Sequence, residues 1–201
     1  MLLVTAALNE ELGGQFDDSI ITGIGKINAA MKMTATIWKR NPSLVVNFGT
    51  AASSVFKKNS IVQVTQIHQH DMQCNLIEYL KNNPIGIEAR SIILEEYKAA
   101  ICYTGDQFLN EVQCQHFNGV CDMEAFALAR VCQVYGIPFL CFKAITDGHS
   151  PHSETDWRSS LNNAAKEFRM IYNKLKEIHD QSEKESKEAR QKDNLYARDS
   201  E

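Results

Sequence analysis

No run of apolar residues in this chain approaches the roughly 20 needed to cross a membrane as a helix. No membrane association is therefore expected. There is no basic excess either: the formal net charge is -4, which points away from a nucleic-acid surface. Residues 1–8 are apolar, but they carry no positive leader and run straight into Glu10 and Glu11. They are read as a first strand, not a secretory signal. The six cysteines, Cys74, Cys102, Cys114, Cys121, Cys132 and Cys141, include no C-x-x-C pair. Most lie in apolar strands or helices, where a free thiol behaves as a small hydrophobe. That pattern predicts reduced core thiols in a cytoplasmic protein, without a disulfide frame or metal site.

What is present is an ordinary globular balance of 44% apolar and 23% charged residues in 201. This length suits one domain with a large core. The domain is expected over residues 1–176. Residues 177–201, with eight acids and five bases, read as a charged tail, either a frayed helix or disordered.

The most informative stretch is 121–147. It reads as strand, helix, strand. Glu124 stands where an apolar run meets a helix start, and Asp147 stands where the next apolar run stops. Gly136 and Pro138 mark the stop of the helix between them. In an open α/β sheet, ligands bind outside the carboxyl ends of strands. Carboxylates are rarely left unpaired inside a protein, so two arriving together mark a candidate site.

Elsewhere the signals are supporting ones. Residues 2–8 form a buried strand that brings Asn9, Glu10 and Glu11 to its end; on the residues alone, a solvated helix start explains those acids equally well. Residues 20–22 lead into Gly23-Ile24-Gly25-Lys26, then a helical pattern with Ile27, Ala30, Met31, Thr34, Ile37 and Trp38 on one face. A glycine pair there permits close approach to a ligand, often an anion. It lacks the third glycine of a dinucleotide fingerprint and is no Walker loop. Residues 44–52 are a buried strand ending in small residues, and 60–70 another, closing at His68, His70 and Asp71. No third well-placed metal ligand accompanies the two histidines, so a pocket rim is the simpler reading. Asn82, Asn83, Pro84 and Gly86 mark a loop. Residues 97–104 form a strand opening into Gly105-Asp106, with Phe108 just beyond, either a core ring or a stacking face. Ser153 or Thr155 caps a long helix from about Asp156, with Trp157, Leu161, Ala164, Ala165, Phe168, Ile171, Tyr172 and Leu175 near one face.

Taken in order, these segments resemble the purine nucleoside phosphorylase and nucleosidase superfamily, and within it the methylthioadenosine/S-adenosylhomocysteine nucleosidases. The pieces that carry the likeness are Ala7-Leu8-Asn9-Glu10-Glu11, Gly23-Ile24-Gly25-Lys26, Asn47-Phe48-Gly49-Thr50-Ala51, His70-Asp71-Met72, Thr104-Gly105-Asp106-Gln107-Phe108, Asp122-Met123-Glu124-Ala125 and Ala144-Ile145-Thr146-Asp147. They span nearly everything up to about residue 176.

The resemblance implies a three-layer α/β/α fold around a mixed, twisted sheet. It also implies hydrolysis of the N-glycosidic bond of a 5′-modified adenine nucleoside, with no cofactor and no metal, in a homodimer. By residue, it implies that Glu11 steers the water and that Asp147 is the acid at N7 of adenine. Glu124 would hold the ribose hydroxyls with Met123 beneath the sugar. Phe108 would stack on the base, and Leu109 would read its edge. Thr146 would be the polar neighbour of Asp147, Thr50 and Ile24 would line the water and ribose region, and Trp157 would sit on a lid helix. The alternatives are a futalosine-type hydrolase, a nucleoside phosphorylase, and a non-catalytic nucleoside-binding protein. Three departures stand out. Only eleven residues separate Glu11 from Gly23, so strands usual there are missing and the fold is shortened near its N-terminus. Lys143 replaces a usual arginine, and Thr50 a usual serine.

Overall fold

The computed structural model describes residues 1–72, 86–89, 91–146 and 154–198, and in the last stretch the side chains of 160–189. The elements are β1 (Leu2–Ala6), α1 (Asn9–Leu12), β2 (Ile20–Ile21), α2 (Lys26–Arg40), β3 (Leu44–Ala51), β4 (Ile61–Gln69), β5 (Gly86–Glu88), β6 (Lys98–Thr104), α3 (Glu111–Cys114), β7 (Val120–Asp122), α4 (Ala125–Val134), β8 (Phe139–Ile145) and α5 (Glu154–Arg198). Asn82 to Pro84, Cys74 and Ser153 lie outside the described residues. The last helix starts before Asp156, which places Thr155 inside it. It continues through 177–198, where apolar periodicity fades.

The strands join in the order β2-β1-β3-β8-β4-β6-β7, with β5 paired to β4 off that path. The first four are parallel, and β4 runs antiparallel to β8. β6 and β7 run parallel to β4. Strand side chains alternate between faces, and here both faces are apolar. Leu3, Val45 and Cys141 belong to one cluster with Ala29, Met33, Ile37 and Leu128 of α2 and α4. Their chain neighbours Val4, Val46, Leu140 and Phe142 belong to the other, with Leu12, Phe168, Ile171 and Leu175 of α1 and α5. Helices therefore cover both faces, giving the three-layer α/β/α fold. Glu11 and Gly23 are linked by a short stretch whose one strand is the two-residue β2, paired with Thr5 and Ala6 of β1. Phe16 in that stretch packs edge-on to Tyr172 and against Phe48.

On α2 the structure corrects the expected face. Ala29, Met33, Thr36 and Ile37 are buried, whereas Ile27, Met31 and Trp38 are 73%, 69% and 77% exposed. The helix carries two apolar stripes, and the smaller residues of one let it lie close to α4.

Candidate active site

Glu11 stands on the single turn of α1 that follows β1. It is buried, whereas its neighbour Glu10 is exposed, so only one of the two acids fits a solvated helix start. Its Oε2 accepts the N–H groups of Ala7 and Leu8 at 3.0 and 3.1 Å. Its Oε1 accepts the N–H and the hydroxyl of Thr50 at 2.8 and 2.9 Å. A carboxylate has about four acceptor sites, and four donors fix this one in place at the tip of β3.

Glu124 occupies the N-cap position of α4 but does not cap it. Its carboxylate instead turns away and accepts the Gly25 N–H at 2.9 Å. Gly23 and Gly25 adopt φ of 81° and 89°, which side-chain-bearing residues rarely adopt. The anion that this glycine loop meets is thus the protein's own carboxylate. Burial, reinforced by the negative charge of Asp122, pushes the Glu124 carboxyl up to about 7.

Beneath it lies a buried ion pair. Lys143 on β8 donates to Asp122 Oδ2 at 2.8 Å. Burial works against ionising Asp122, but Lys143 and the surrounding donors outweigh it and hold the carboxyl below its usual range. The sequence reading included Asp122 in a motif and noted Lys143 as a departure without linking them. Asp122 stands two residues before the N-cap, outside the position that a capping side chain ordinarily takes, so local pattern gave no hint of its role.

Glu11 and Glu124 face one cavity of ≈ 160 Å³, whose lining also includes Ile24, Thr50, Phe108, Leu109, Met123 and Thr146. Ala7, Leu8, Gln107 and Cys121 complete parts of the wall that were not anticipated. Asp147 and the side chain of Trp157 lie outside the described residues. β7 and β8 are separated by β4 and β6 and run in opposite directions, so the two carboxyl ends do not lie side by side as in a simple parallel sheet. What brings β7 to the site is a bridge between Ala52 and Cys121, which exchange hydrogen bonds of 3.0 and 2.8 Å.

At the rim, Lys26 reaches both oxygens of Asp71, at 2.5 and 2.6 Å, and Asp106 at 3.4 Å. The Lys26 N–H also bonds Asp106 at 3.0 Å. These contacts pin the glycine loop to the turn that carries Phe108. His68 stacks on Tyr103, and His70 packs on Phe117.

The profile of the phosphorylase superfamily matches residues 19–177. The chain belongs to the phosphorylase superfamily. Among curated superfamily proteins, a 5′-methylthioadenosine/S-adenosylhomocysteine nucleosidase of Oceanobacillus iheyensis is 26% identical over 184 residues, covering 79% of this chain and 80% of the relative. Among solved structures, a nucleosidase of the same name from Neisseria meningitidis, in complex with methylthio-immucillin-A, has a TM-score of 0.72 at 20% identity, covering 85% of this chain and 97% of that one. A futalosine hydrolase mutant of Helicobacter pylori has a TM-score of 0.69 at 18% identity, covering 88% of this chain and 98% of the other. At these identities the structural likeness speaks for the fold.

Proposed function

We propose that the protein is a nucleosidase that hydrolyses the N-glycosidic bond of a 5′-modified adenine nucleoside, such as methylthioadenosine or S-adenosylhomocysteine. The observation that carries this reading is the pairing of two buried carboxylates, Glu11 and Glu124, across one largely apolar cavity. Cleaving this bond builds positive character on the ribose, so a carboxylate beside the sugar and another directing the nucleophile both favour it, while a third acid assists the leaving base.

In the proposed reaction the C1′–N9 bond breaks and adenine leaves as N7 takes a proton from Asp147. Water forms the new bond to C1′ and gives its proton to Glu11. Thr50 fixes Glu11 and faces the same water. Glu124 accepts the ribose hydroxyls, Met123 supports the sugar, and Ile24 lines the ribose wall. Phe108 stacks on the base, Leu109 reads its edge through the backbone, and Thr146 lies beside Asp147. Trp157 is assigned to the lid over the bound nucleoside.

Water is favoured over phosphate as the nucleophile. Lys26 is bound by Asp71 and Asp106, and Lys143 by Asp122, so both cations of these flanking segments are neutralised. Glu11 would repel an arriving anion. The relatives' shared name supports the adenine nucleoside as substrate. The exposed Ile27, Met31 and Trp38 stripe supports a homodimer, because exposed apolar patches mark association surfaces. Among the described residues no helix is long and apolar enough to cross a membrane, in keeping with a cytoplasmic setting.

The test is release of adenine from methylthioadenosine with and without phosphate. Phosphate-independent release with free methylthioribose is expected, and Glu11→Gln should lower turnover by at least about 10²-fold while retaining nucleoside binding. Strict dependence on phosphate would overturn the role of Glu11. Binding without any release would identify a nucleoside-binding protein.

A further inference from the structure

The buried Lys143–Asp122 pair has no role in the reaction proposed above, yet it bonds the backbone of Glu124 and reaches the same point of β3 as Glu11. Asp122 Oδ2, besides meeting Lys143, accepts the N–H groups of Glu124 at 3.3 Å and Ala125 at 2.8 Å. Its Oδ1 accepts the Thr104 hydroxyl at 2.6 Å, and that hydroxyl oxygen in turn accepts the Phe126 N–H at 3.0 Å. Three successive N–H groups at the start of α4 are therefore satisfied from β6 and β7. The first turn of a helix ordinarily takes such partners from its own N-cap side chain. Here that residue is Glu124, and the arrangement releases its carboxylate to face the cavity.

Lys143 extends the same connection to the opposite wall. A Cβ placed on Gly49 would lie 3.0 Å from Lys143 Nζ and 3.3 Å from Glu11 Oε1. The missing side chain lets the amine and the Glu11 carboxylate approach the same point of β3. Asparagine has one acceptor oxygen where Asp122 uses two, so it would not hold both the α4 amides and the Thr104 hydroxyl. Burying two charges seldom adds net stability over apolar residues of similar size. What the pair supplies is a fixed geometry between three strands.

We propose that Lys143 and Asp122 are positioning residues for the nucleoside hydrolysis: their ion pair locks the backbone at Glu124 and Ala125, aims the Glu124 carboxylate into the cavity, and registers that wall against Gly49 and Glu11. The proposal rests on the functional reading given above. Among the described residues, the charged groups acting on Glu124 are Asp122 from β7, Lys143 from β8 and Glu11 from α1, and the Gly25 N–H donates to it from the glycine loop.

The test compares the wild type, Lys143→Arg and the double variant Asp122→Asn/Lys143→Met. The double variant leaves no unpaired buried charge, and far-UV circular dichroism establishes that it folds. Two quantities are measured: adenine release from methylthioadenosine, and the titration of the Glu124 carboxyl by carbon-13 NMR, with the signal assigned through Glu124→Gln. In the folded double variant kcat/KM is expected to fall about 10²-fold, the effect of misplacing a reacting group by about 1 Å. The Glu124 midpoint is expected to move down, because Asp122 acts on it more strongly than Lys143 does. Lys143→Arg should recover most of the activity and the wild-type midpoint. Either undiminished turnover or an unmoved midpoint in the folded double variant overturns the positioning role. If the wild type releases no adenine from any nucleoside, the functional reading fails by itself. The positioning role fails by itself when the wild type is active and the folded double variant is undiminished.

Discussion

At the scale of single residues, Glu124 carries the clearest pH dependence. Its carboxyl is raised to about 7 by burial and by Asp122, and the proposed contact with the ribose hydroxyls needs the ionised form. kcat/KM should therefore rise with pH through about 7 and level off above it, and Glu124→Gln should abolish that limb along with most of the activity. Stability should run the other way. The folded protein holds this proton more tightly than the unfolded chain, so the contribution is present at low pH and lost as pH rises through about 7. Thermal melts should then find Glu124→Gln more stable than wild type above pH 7, by on the order of 3 kcal/mol at about 1.4 kcal/mol per unit, and nearly equal to it near pH 4. Glu124 was legible in the pattern because it stands where an apolar run meets a helix start, whereas Glu11, one of two adjacent acids, was singled out only by the family resemblance. The Lys143–Asp122 pair was not legible, because strand order brings its members together and local pattern does not encode strand order. Ala7 and Leu8 were missed as site residues for a related reason. They contribute backbone N–H groups, which every residue type possesses.

At the scale of elements, α2 shows what periodicity reveals and what it leaves open. The helix follows from the pattern after Gly25; its end, where Asn41 turns left-handed, was not marked by that pattern. Its inward face does not follow, because both stripes have helical spacing. Packing against α4 selected the one with Ala29 and Met33. The other stripe leaves Trp38 at the surface, its indole N–H donating to the Tyr135 hydroxyl at 3.0 Å. In the proposed homodimer this stripe is the contact. Trp38→Glu should leave the monomer folded, since the residue is exposed, and light scattering should report the monomer mass where the wild type gives twice that value. An unchanged mass would place the interface elsewhere. β5 and α3 escaped the sequence reading because three and four residues are too few to display a period, and unlike β2 and β7 neither leads into a helical pattern.

At the scale of the whole molecule, the layers were legible because continuous apolar runs such as 44–46 and 139–142 leave no polar face for solvent. Both sides of the sheet had to be covered, and α2 with α4 on one side and α1 with α5 on the other do so. The reversal of β4 against β8 was not legible. Apolar strands carry the same pattern in either direction.

The Ala52–Cys121 bridge has a mechanical consequence. β3 and β7 are four steps apart in the sheet, yet their tips exchange two hydrogen bonds, so β3, β8, β4, β6 and β7 form a closed hoop. A flat sheet can unravel from its border, one strand at a time. A hoop has no loose end there, and parting any one seam strains the rest. The Ala52 and Cys121 amides, though near a cavity and at strand tips, should exchange with deuterium as slowly as those at the centre of β8. Fast exchange at either would mean that the hoop opens without global unfolding.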